Sequence, residues 1–193
     1  KLQIQFEKTS IKIRMMNPIE IIEKYYDPKS ELYNMLIIHS SQVRDKALET
    51  VQKHPELGAD SLFISEAALL HDIGIFLTDA PDIECFGTHS YVEHGHLGAD
   101  IIRREGYEKH ALVCERHTGL GLTLEQIVKQ NLPVPHREMV PVSIEEKIIC
   151  YADKFFSKTK LEKELKVEKI VKKLDKYDPT QGALFLEWHE LFG

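Results

Sequence analysis

The adjacent residues His71 and Asp72 are the strongest chemical signal in this sequence. They follow the apolar residues 67–70 and precede Ile73 and Gly74, so they stand at the end of a helix whose composition favours burial. Burying an imidazole and a carboxylate costs desolvation free energy unless something binds them, and a metal cation commonly does so. The pair therefore predicts a metal site.

Helical periodicity directs two more ligands toward the core. His39 lies within an apolar stripe at helical spacing, which comprises Leu32, Met35, Leu36 and Val43. Asp153 lies in a comparable later stripe, which comprises Ile149, Ala152 and Phe156. Because aspartate is rarely buried without a partner, Asp153 joins His39 as a candidate ligand.

Two further histidines accompany glycines near helical patterns. His94 begins the segment 94–98, which has the form His-Gly-x-x-Gly, and His117 is followed by Thr118-Gly119. The complete set of candidate ligands, in chain order, is His39, His71, Asp72, His94, His117 and Asp153.

The order His39, His71-Asp72, Asp153 resembles the signature of the HD-domain superfamily of metal-dependent phosphohydrolases. Residues 69–74, Leu-Leu-His-Asp-Ile-Gly, match the pattern called HDIG, and the resemblance covers roughly residues 36–158. It implies an all-α helical bundle, the HD-domain fold, in which these four residues hold one metal ion.

The patterns around His94 and His117 resemble the binuclear subset of that superfamily. The subset includes bacterial diadenosine-tetraphosphate hydrolases and, more distantly, cyclic-di-GMP phosphodiesterases. No Gly-Tyr-Pro follows His117, so we do not expect cyclic-di-GMP as a substrate. The resemblance implies that His94 and His117 hold a second ion and that Asp72 bridges the two.

Histidine and carboxylate ligands suit divalent transition metals better than calcium. We therefore expect two such ions, iron or manganese first, with cobalt, nickel or zinc as alternatives. A pair of cations lowers the pKa of water and stabilises charge on a phosphoryl group. The predicted activity is hydrolysis of a phosphate ester or anhydride of a small nucleotide-like metabolite, with Asp72 as a catalytic residue.

Lys154 and Arg116 are the candidate counter-charges for phosphate, because each is adjacent to a proposed ligand. A solvated or ion-paired role fits each of them equally well. Two other classes of function also stay open. Some HD proteins, such as those resembling inositol oxygenase, use the same ligand order for diiron oxygen chemistry, and a metal-stabilised regulatory module without catalysis is the third reading.

Composition and charge indicate which classes of binding partner to expect. The 193 residues carry a net charge of −6, which argues against a nucleic-acid polymer as the main partner. The sequence contains neither an apolar stretch of roughly 20 residues nor a signal peptide, so we expect a cytoplasmic protein without a membrane partner. A homo-oligomer is compatible with the sequence. The cysteines Cys85, Cys114 and Cys150 are an odd number without a Cys-x-x-Cys motif, which disfavours disulfides.

The elements predicted to position these residues are nearly all helices. Residues 16–193 form one domain, preceded by an arm at 1–15 whose alternating pattern suggests a small β-hairpin. We expect helices from Asn17-Pro18 to about Tyr26, from about Ser30 to His54, from Asp60 or Ser61 to the His71-Asp72 pair, and from Asp178-Pro179. Thr123 and Ser143 begin capping boxes, residues 77–89 form a loop beside the site, and 160–176 form a charged, solvated helix.

Overall fold

A computed structural model describes residues 16–161 and 163–193 of the chain. Within those ranges the fold is all-α, as predicted. The helices are α1 (Pro18–Ile22), α2 (Glu31–Lys53), α3 (Ser61–Leu70), α4 (His94–Arg104), α5 (Glu108–Arg116), α6 (Leu124–Lys129), α7 (Ile144–Asp153), α8 (Val167–Leu174) and α9 (Pro179–Phe192). The predicted hairpin arm, residues 1–15, lies outside the described residues.

Side-chain caps fix the starts of the helices that carry the site. The Ser30 hydroxyl accepts from the Tyr33 amide at 3.1 Å, and the Asp60 carboxylate accepts from the amides of Leu62 and Phe63 at 2.9 and 3.0 Å. Ser143 caps α7 in the same way through the Glu146 amide at 3.2 Å. The sequence predicted each of these helix starts.

The predicted helix at 160–176 is wrong over its first part, because α8 begins only at Val167. The Leu165 amide donates to the Phe155 carbonyl at 2.7 Å, which holds the connecting segment against the end of α7 in a non-helical path. The first helix is also shorter than predicted. It ends at Ile22, and turns rather than helix continue to Tyr26.

The predicted loop at 77–89 contains short regular structure. Strand β1 (Asp79–Ala80) pairs antiparallel with β2 (Cys85–Phe86), and the Gly87 amide donates to the Thr78 carbonyl at 2.8 Å. Strands of two residues are too short to show an alternating hydrophobic pattern, so they could not be predicted from the sequence.

Two hydrophobic clusters meet at the predicted site. One cluster contains Leu36, Leu70 and Cys114, and the other contains Val43, Ala68 and Val113. Each of α2, α3 and α5 therefore contributes to both clusters. Four of the six candidate ligands lie on these helices or directly after them, while His94 lies on α4 and Asp153 on α7. The two clusters pack against different faces of α2, α3 and α5 and so hold the backbone of the candidate ligands in place.

Close backbone contact between Gly74 and Gly98 brings α4 against the turn after α3. A Cβ atom at Gly74 would lie 2.3 Å from the His94 carbonyl oxygen and 2.5 Å from the Gly98 nitrogen. Only glycine leaves room for that approach. The glycines of the two sequence motifs therefore bring His94 next to the His71-Asp72 pair.

No helix in the two described ranges is both long enough and apolar enough to span a membrane. The three cysteines are buried and free, as the sequence predicted.

Candidate metal centre

The six candidate ligands converge in one buried cluster. His39 comes from the middle of α2, His71 and Asp72 follow α3, His94 begins α4, His117 follows α5, and Asp153 ends α7. All six are at most 8% exposed. Residues up to 114 positions apart in sequence are thus brought into contact.

One oxygen of Asp72 faces the first group of ligands. Its Oδ2 lies 3.1 Å from His39 Nε2 and 3.1 Å from His71 Nε2. Asp153 Oδ1 completes this group, at 3.1 Å from His39 Nε2 and 3.5 Å from His71 Nε2. The four residues offer ligand atoms that all lie within 4.8 Å of one another.

The other oxygen of Asp72 faces the second group. Its Oδ1 lies 3.3 Å from His117 Nε2 and 3.5 Å from His94 Nε2, and these two nitrogens are 3.0 Å apart. Asp72 therefore stands between both groups, with one carboxylate oxygen directed at each.

Backbone carbonyl groups orient three of the histidine rings. The Nδ1 atoms of His71, His94 and His117 lie 2.7, 2.5 and 2.7 Å from the carbonyl oxygens of Ala68, Tyr91 and Cys114, each three residues earlier. Because a carbonyl oxygen only accepts, each Nδ1 carries the proton and donates it. In the neutral ring, Nε2 then presents a lone pair to the cluster, as it does in metal-binding histidines.

This arrangement fits a bound cation. In the second group the lone pairs of His94 Nε2 and His117 Nε2 face each other and Asp72 Oδ1, so three acceptors meet without a donor. Among the described residues, Asp72 Oδ1 and His71 Nε2 have no hydrogen-bond partner. Buried acceptors this close repel one another unless a positive charge lies between them.

The pKa shifts of the two histidines in the second group match that interpretation. Burial and the neighbouring His117 lower the pKa of His94 to about 3, and burial also lowers the pKa of His117, so both rings are neutral at neutral pH. Burial opposes protonation of His71, but the carboxylates of Asp72 and Asp153 raise its pKa to about 9. Burial likewise opposes ionisation of Asp72, yet the charges around it hold the pKa of its carboxyl well below the usual range.

Two lysines border the cluster. Lys154 Nζ lies 2.5 Å from Asp153 Oδ2 and donates to the His117 carbonyl at 3.0 Å. Lys158 Nζ lies 2.6 Å from Asp72 Oδ2. Only 12% and 13% of the two side chains is exposed, so both ammonium groups are largely desolvated. The site thus combines anionic ligands with buried cations.

Arg116 and Lys154, the two residues predicted to offset phosphate charge, are placed differently. Arg116 Nη1 donates to both carboxylate oxygens of Glu146, at 3.1 and 3.0 Å, whereas Lys154 contacts the cluster itself. The ion pair satisfies Arg116 within the protein, so we assign it no further part.

Sequence reasoning missed Lys158 and Tyr91. Lys158 follows the end of α7 by five residues, where helical periodicity no longer predicts a direction. Tyr91 stacks on the His94 ring with centroids 4.7 Å apart, and it precedes that ligand by three residues. The aromatic residue so close to a ligand was the available signal for Tyr91, while the sequence contained none for Lys158.

The family model of the HD domain matches residues 36–180, which include all six candidate ligands. The chain belongs to the HD domain family. The four residues of the HD signature, His39, His71, Asp72 and Asp153, lie together in the cluster.

Several known proteins are similar to this chain in sequence. The chain is 37% identical over 109 residues to an uncharacterized protein of Methanocaldococcus jannaschii, a match that covers 56% of this chain and 55% of that protein. It is 34% identical to a tRNA (cytidine(56)-2'-O)-methyltransferase of Thermoplasma volcanium, covering 70% of this chain and 35% of the relative. The enzyme of the same name from Picrophilus torridus is 33% identical, with coverage of 64% and 35%.

The chain thus spans about half the length of the first relative and about a third of the two methyltransferases. No solved structure matches it.

Proposed function

We propose that this HD domain hydrolyses a phosphate ester or anhydride of a small nucleotide-like metabolite. The observation that carries the proposal is the pair of lysines, Lys154 and Lys158, whose largely buried ammonium groups lie beside the carboxylates of the candidate metal cluster. An oxygen-activating site for a neutral organic molecule has no need of two desolvated ammonium groups. A phosphate carries about −1.5 to −2 charges at neutral pH and does need them.

We propose two divalent transition-metal ions, iron or manganese first. His39, His71, Asp72 and Asp153 would hold one, and Asp72, His94 and His117 would hold the other. When bound, such ions lower the pKa of water and neutralise charge on a phosphoryl group. Asp72 would contribute to both sites through its two oxygens.

The protein's own residues then have defined tasks. Lys158 is placed to pair with a phosphate oxygen next to Asp72, and Lys154 holds Asp153 in position through its ion pair. The carbonyl groups of Ala68, Tyr91 and Cys114 keep the histidine rings fixed, so the ligands need no reorganisation. In the overall reaction a water oxygen bonds to phosphorus and the P–O bond to the leaving group breaks. The leaving group departs with the electron pair and takes up a proton.

Methyl transfer is not proposed for this chain. The match covers only 35% of each of the two methyltransferases. About two thirds of each enzyme therefore lies outside the match, and their named activity can belong to that part.

Replacing Lys158 tests the proposal. Lys158→Gln is expected to lower kcat/KM for nucleotide hydrolysis about 100-fold, because a desolvated charge pair with phosphate is lost. Metal content should stay unchanged. Lys160→Gln is the matched control, since Lys160 is exposed two residues away and should change kcat/KM less than about twofold.

Steady-state kinetics with a panel of nucleotides, together with metal analysis of each variant, measures both quantities. Equal activity in the Lys158 and Lys160 variants would contradict the role of Lys158 in phosphate binding.

A further inference from the structure

Tyr91 contacts the second group of candidate ligands in two ways. Its ring stacks on the His94 ring, with the centroids 4.7 Å apart and the planes inclined by 26°. Its backbone carbonyl accepts the hydrogen bond from His94 Nδ1 at 2.5 Å. Both contacts place the Tyr91 side chain at the edge of the cluster, where the proposed function assigns it no contact with the substrate.

Hydrogen bonds close to Tyr91 in the chain hold the segment that carries it. Tyr91–Glu93 forms a short 3₁₀ helix that leads directly into α4. The Glu93 carboxylate accepts from the Ser90 amide at 2.6 Å and lies 3.1 Å from His89 Nδ1. Because this local structure positions Tyr91 independently of a ligand, a contact with substrate costs less conformational entropy.

The two ends of the Tyr91 side chain lie in different surroundings. The residue is 37% exposed, so part of its ring borders solvent. Its hydroxyl, by contrast, forms a hydrogen bond with Lys158, and burial raises the pKa of this hydroxyl to about 12. Lys158 Nζ in turn lies 2.6 Å from Asp72 Oδ2. The side chain therefore extends from solvent to the phosphate-binding position proposed for Lys158.

The hydrogen bond with Lys158 leaves the proton of the Tyr91 hydroxyl available. An ammonium group has donors only, so the hydroxyl is the acceptor in this bond. Across residues 16–161 and 163–193, no atom accepts the proton of the Tyr91 hydroxyl. A desolvated donor without an acceptor costs free energy, and an oxygen atom of a bound ligand recovers it.

We propose that the Tyr91 hydroxyl donates a hydrogen bond to a phosphoryl oxygen of the substrate, next to the ammonium group of Lys158. The inference rests on the proposed function and adds a second donor from the protein to its phosphate site. A lysine ammonium is a point charge on a flexible chain, so it attracts an anion without fixing its orientation. The stacked tyrosine presents one donor in a fixed direction. Together the two donors hold the phosphoryl group in one orientation beside His94.

The hydroxyl can be removed without the ring. Tyr91→Phe keeps the stacking on His94 and the backbone carbonyl, and it deletes only the proposed donor. The matched control is Tyr33→Phe, because the Tyr33 hydroxyl donates to Glu23 at 3.2 Å at the surface. Methylphosphonate serves as the probe, since hydrolysis does not cleave its P–C bond. Isothermal titration of the manganese-loaded protein gives its dissociation constant.

We expect Tyr91→Phe to weaken methylphosphonate binding about tenfold, because a hydrogen bond to a charged oxygen is lost. Tyr33→Phe should change the dissociation constant less than about twofold, and both variants should keep the metal content of the wild-type protein. Unchanged binding in Tyr91→Phe would overturn the contact, and so would a wild-type protein that does not bind methylphosphonate. Loss of metal in Tyr91→Phe would also overturn it, because the hydroxyl would then support the metal ligands instead of the substrate.

A double variant separates a direct contact from an effect on Lys158. If Tyr91 only held Lys158 in place, Tyr91→Phe would have no effect once Lys158 is replaced by glutamine. A direct contact predicts that Lys158→Gln with Tyr91→Phe binds methylphosphonate at least about threefold more weakly than Lys158→Gln alone. Equal dissociation constants for these two proteins would overturn the direct contact.

Failure of this contact is distinguishable from failure of the proposed function. Hydrolysis of nucleotides, together with methylphosphonate binding that Tyr91→Phe leaves unchanged, keeps the phosphohydrolase in place and overturns the contact. Methylphosphonate binding that depends on the Tyr91 hydroxyl, without hydrolysis of any phosphate compound, supports the contact and overturns the function.

Discussion

Asp72 connects the two halves of the cluster, because each of its carboxylate oxygens faces a different set of histidines. Asp72→Ala removes a ligand from both sets at once, and alanine offers no replacement. We expect metal content to fall below about a tenth of the wild-type value and hydrolysis to disappear with it. Elemental analysis measures the first and phosphate release the second.

Helix content should remain close to that of the wild-type protein, since Asp72 lies after the end of α3. Asp100→Ala provides the control, because Asp100 is an exposed carboxylate of α4 that contacts Arg103. An Asp72 variant that retains its metal would show that the carboxylate does not bridge the two groups.

The burial and contacts of some single residues can be predicted from the sequence, and those of others cannot. The spacing of Leu32, Leu36 and Val43 predicts a buried His39, and the structure places it at 0% exposure. Lys158 escapes such reasoning because it lies beyond the last turn of α7, and a contact with Asp72, 86 residues earlier, is set by tertiary packing. Helical periodicity predicts which face of a helix a residue occupies, but it does not predict the path of a segment that connects two helices.

At the scale of elements, the contact between Gly74 and α4 determines where His94 stands. Gly74→Ala would place a Cβ atom 2.3 Å from the His94 carbonyl oxygen, so α4 must move away from the turn. We expect the second ion to be lost and metal content to fall from two to about one per chain. Overpacking should also lower the free energy of unfolding by about 1–3 kcal/mol.

Gly98→Ala provides a graded comparison, since its Cβ would lie 3.1 Å from the Gly74 nitrogen and requires a smaller shift. Metal analysis and urea unfolding of both variants measure the effects. Full retention of both ions in Gly74→Ala would mean that His94 does not depend on this contact.

Ion pairs to the buried Glu115 of α5 connect this helix to α4 and to the segment before α7. Glu115 receives hydrogen bonds from Arg103 and Arg137, the latter through Nε at 2.5 Å. Burial would raise the pKa of the Glu115 carboxyl, but the two arginines lower it overall. Because the folded pKa lies below the unfolded value of about 4.3, the carboxylate stabilises the fold above that pH. This stabilisation is lost as the pH falls through the folded pKa.

Glu115→Gln is therefore expected to reduce the free energy of unfolding by about 2 kcal/mol at pH 7 and by much less near pH 3. Glu108→Gln serves as the control, since Glu108 contacts the same Arg103 from an exposed position and should change stability by less than about 0.5 kcal/mol. Urea unfolding at both pH values measures the difference. A pH-independent loss for Glu115→Gln would contradict the electrostatic account.

The elements themselves were largely predictable where local chemistry determines them. Ser30 and Asp60 cap their helices as expected, because a cap depends only on residues within one turn. The predicted start of α8 was wrong. The hydrogen bond from the Leu165 amide to the Phe155 carbonyl competes with helix formation, and it depends on tertiary structure. Charge alternation alone could not reveal that competition.

At the scale of the whole molecule, the charge distribution differs from the net charge. The chain is acidic overall, with a net charge of −6, yet Lys154 and Lys158 lie beside the carboxylates of the cluster. The acidic balance continues to predict that a nucleic-acid polymer is not the main partner, and the lysines favour a small anionic substrate. A single domain over residues 16–193, a homo-oligomer and a cytoplasmic location stay predictions.

The most direct test of metal-dependent phosphate hydrolysis is turnover in water enriched in heavy oxygen. The manganese-loaded protein is incubated with nucleoside mono-, di- and triphosphates and with dinucleoside polyphosphates, and the products are weighed by mass spectrometry. We predict phosphate or nucleotide products that carry one oxygen from the labelled water, and loss of turnover after chelation that added manganese reverses. Consumption of dioxygen with an organic substrate, and no phosphate released from any compound of the panel, would contradict the account.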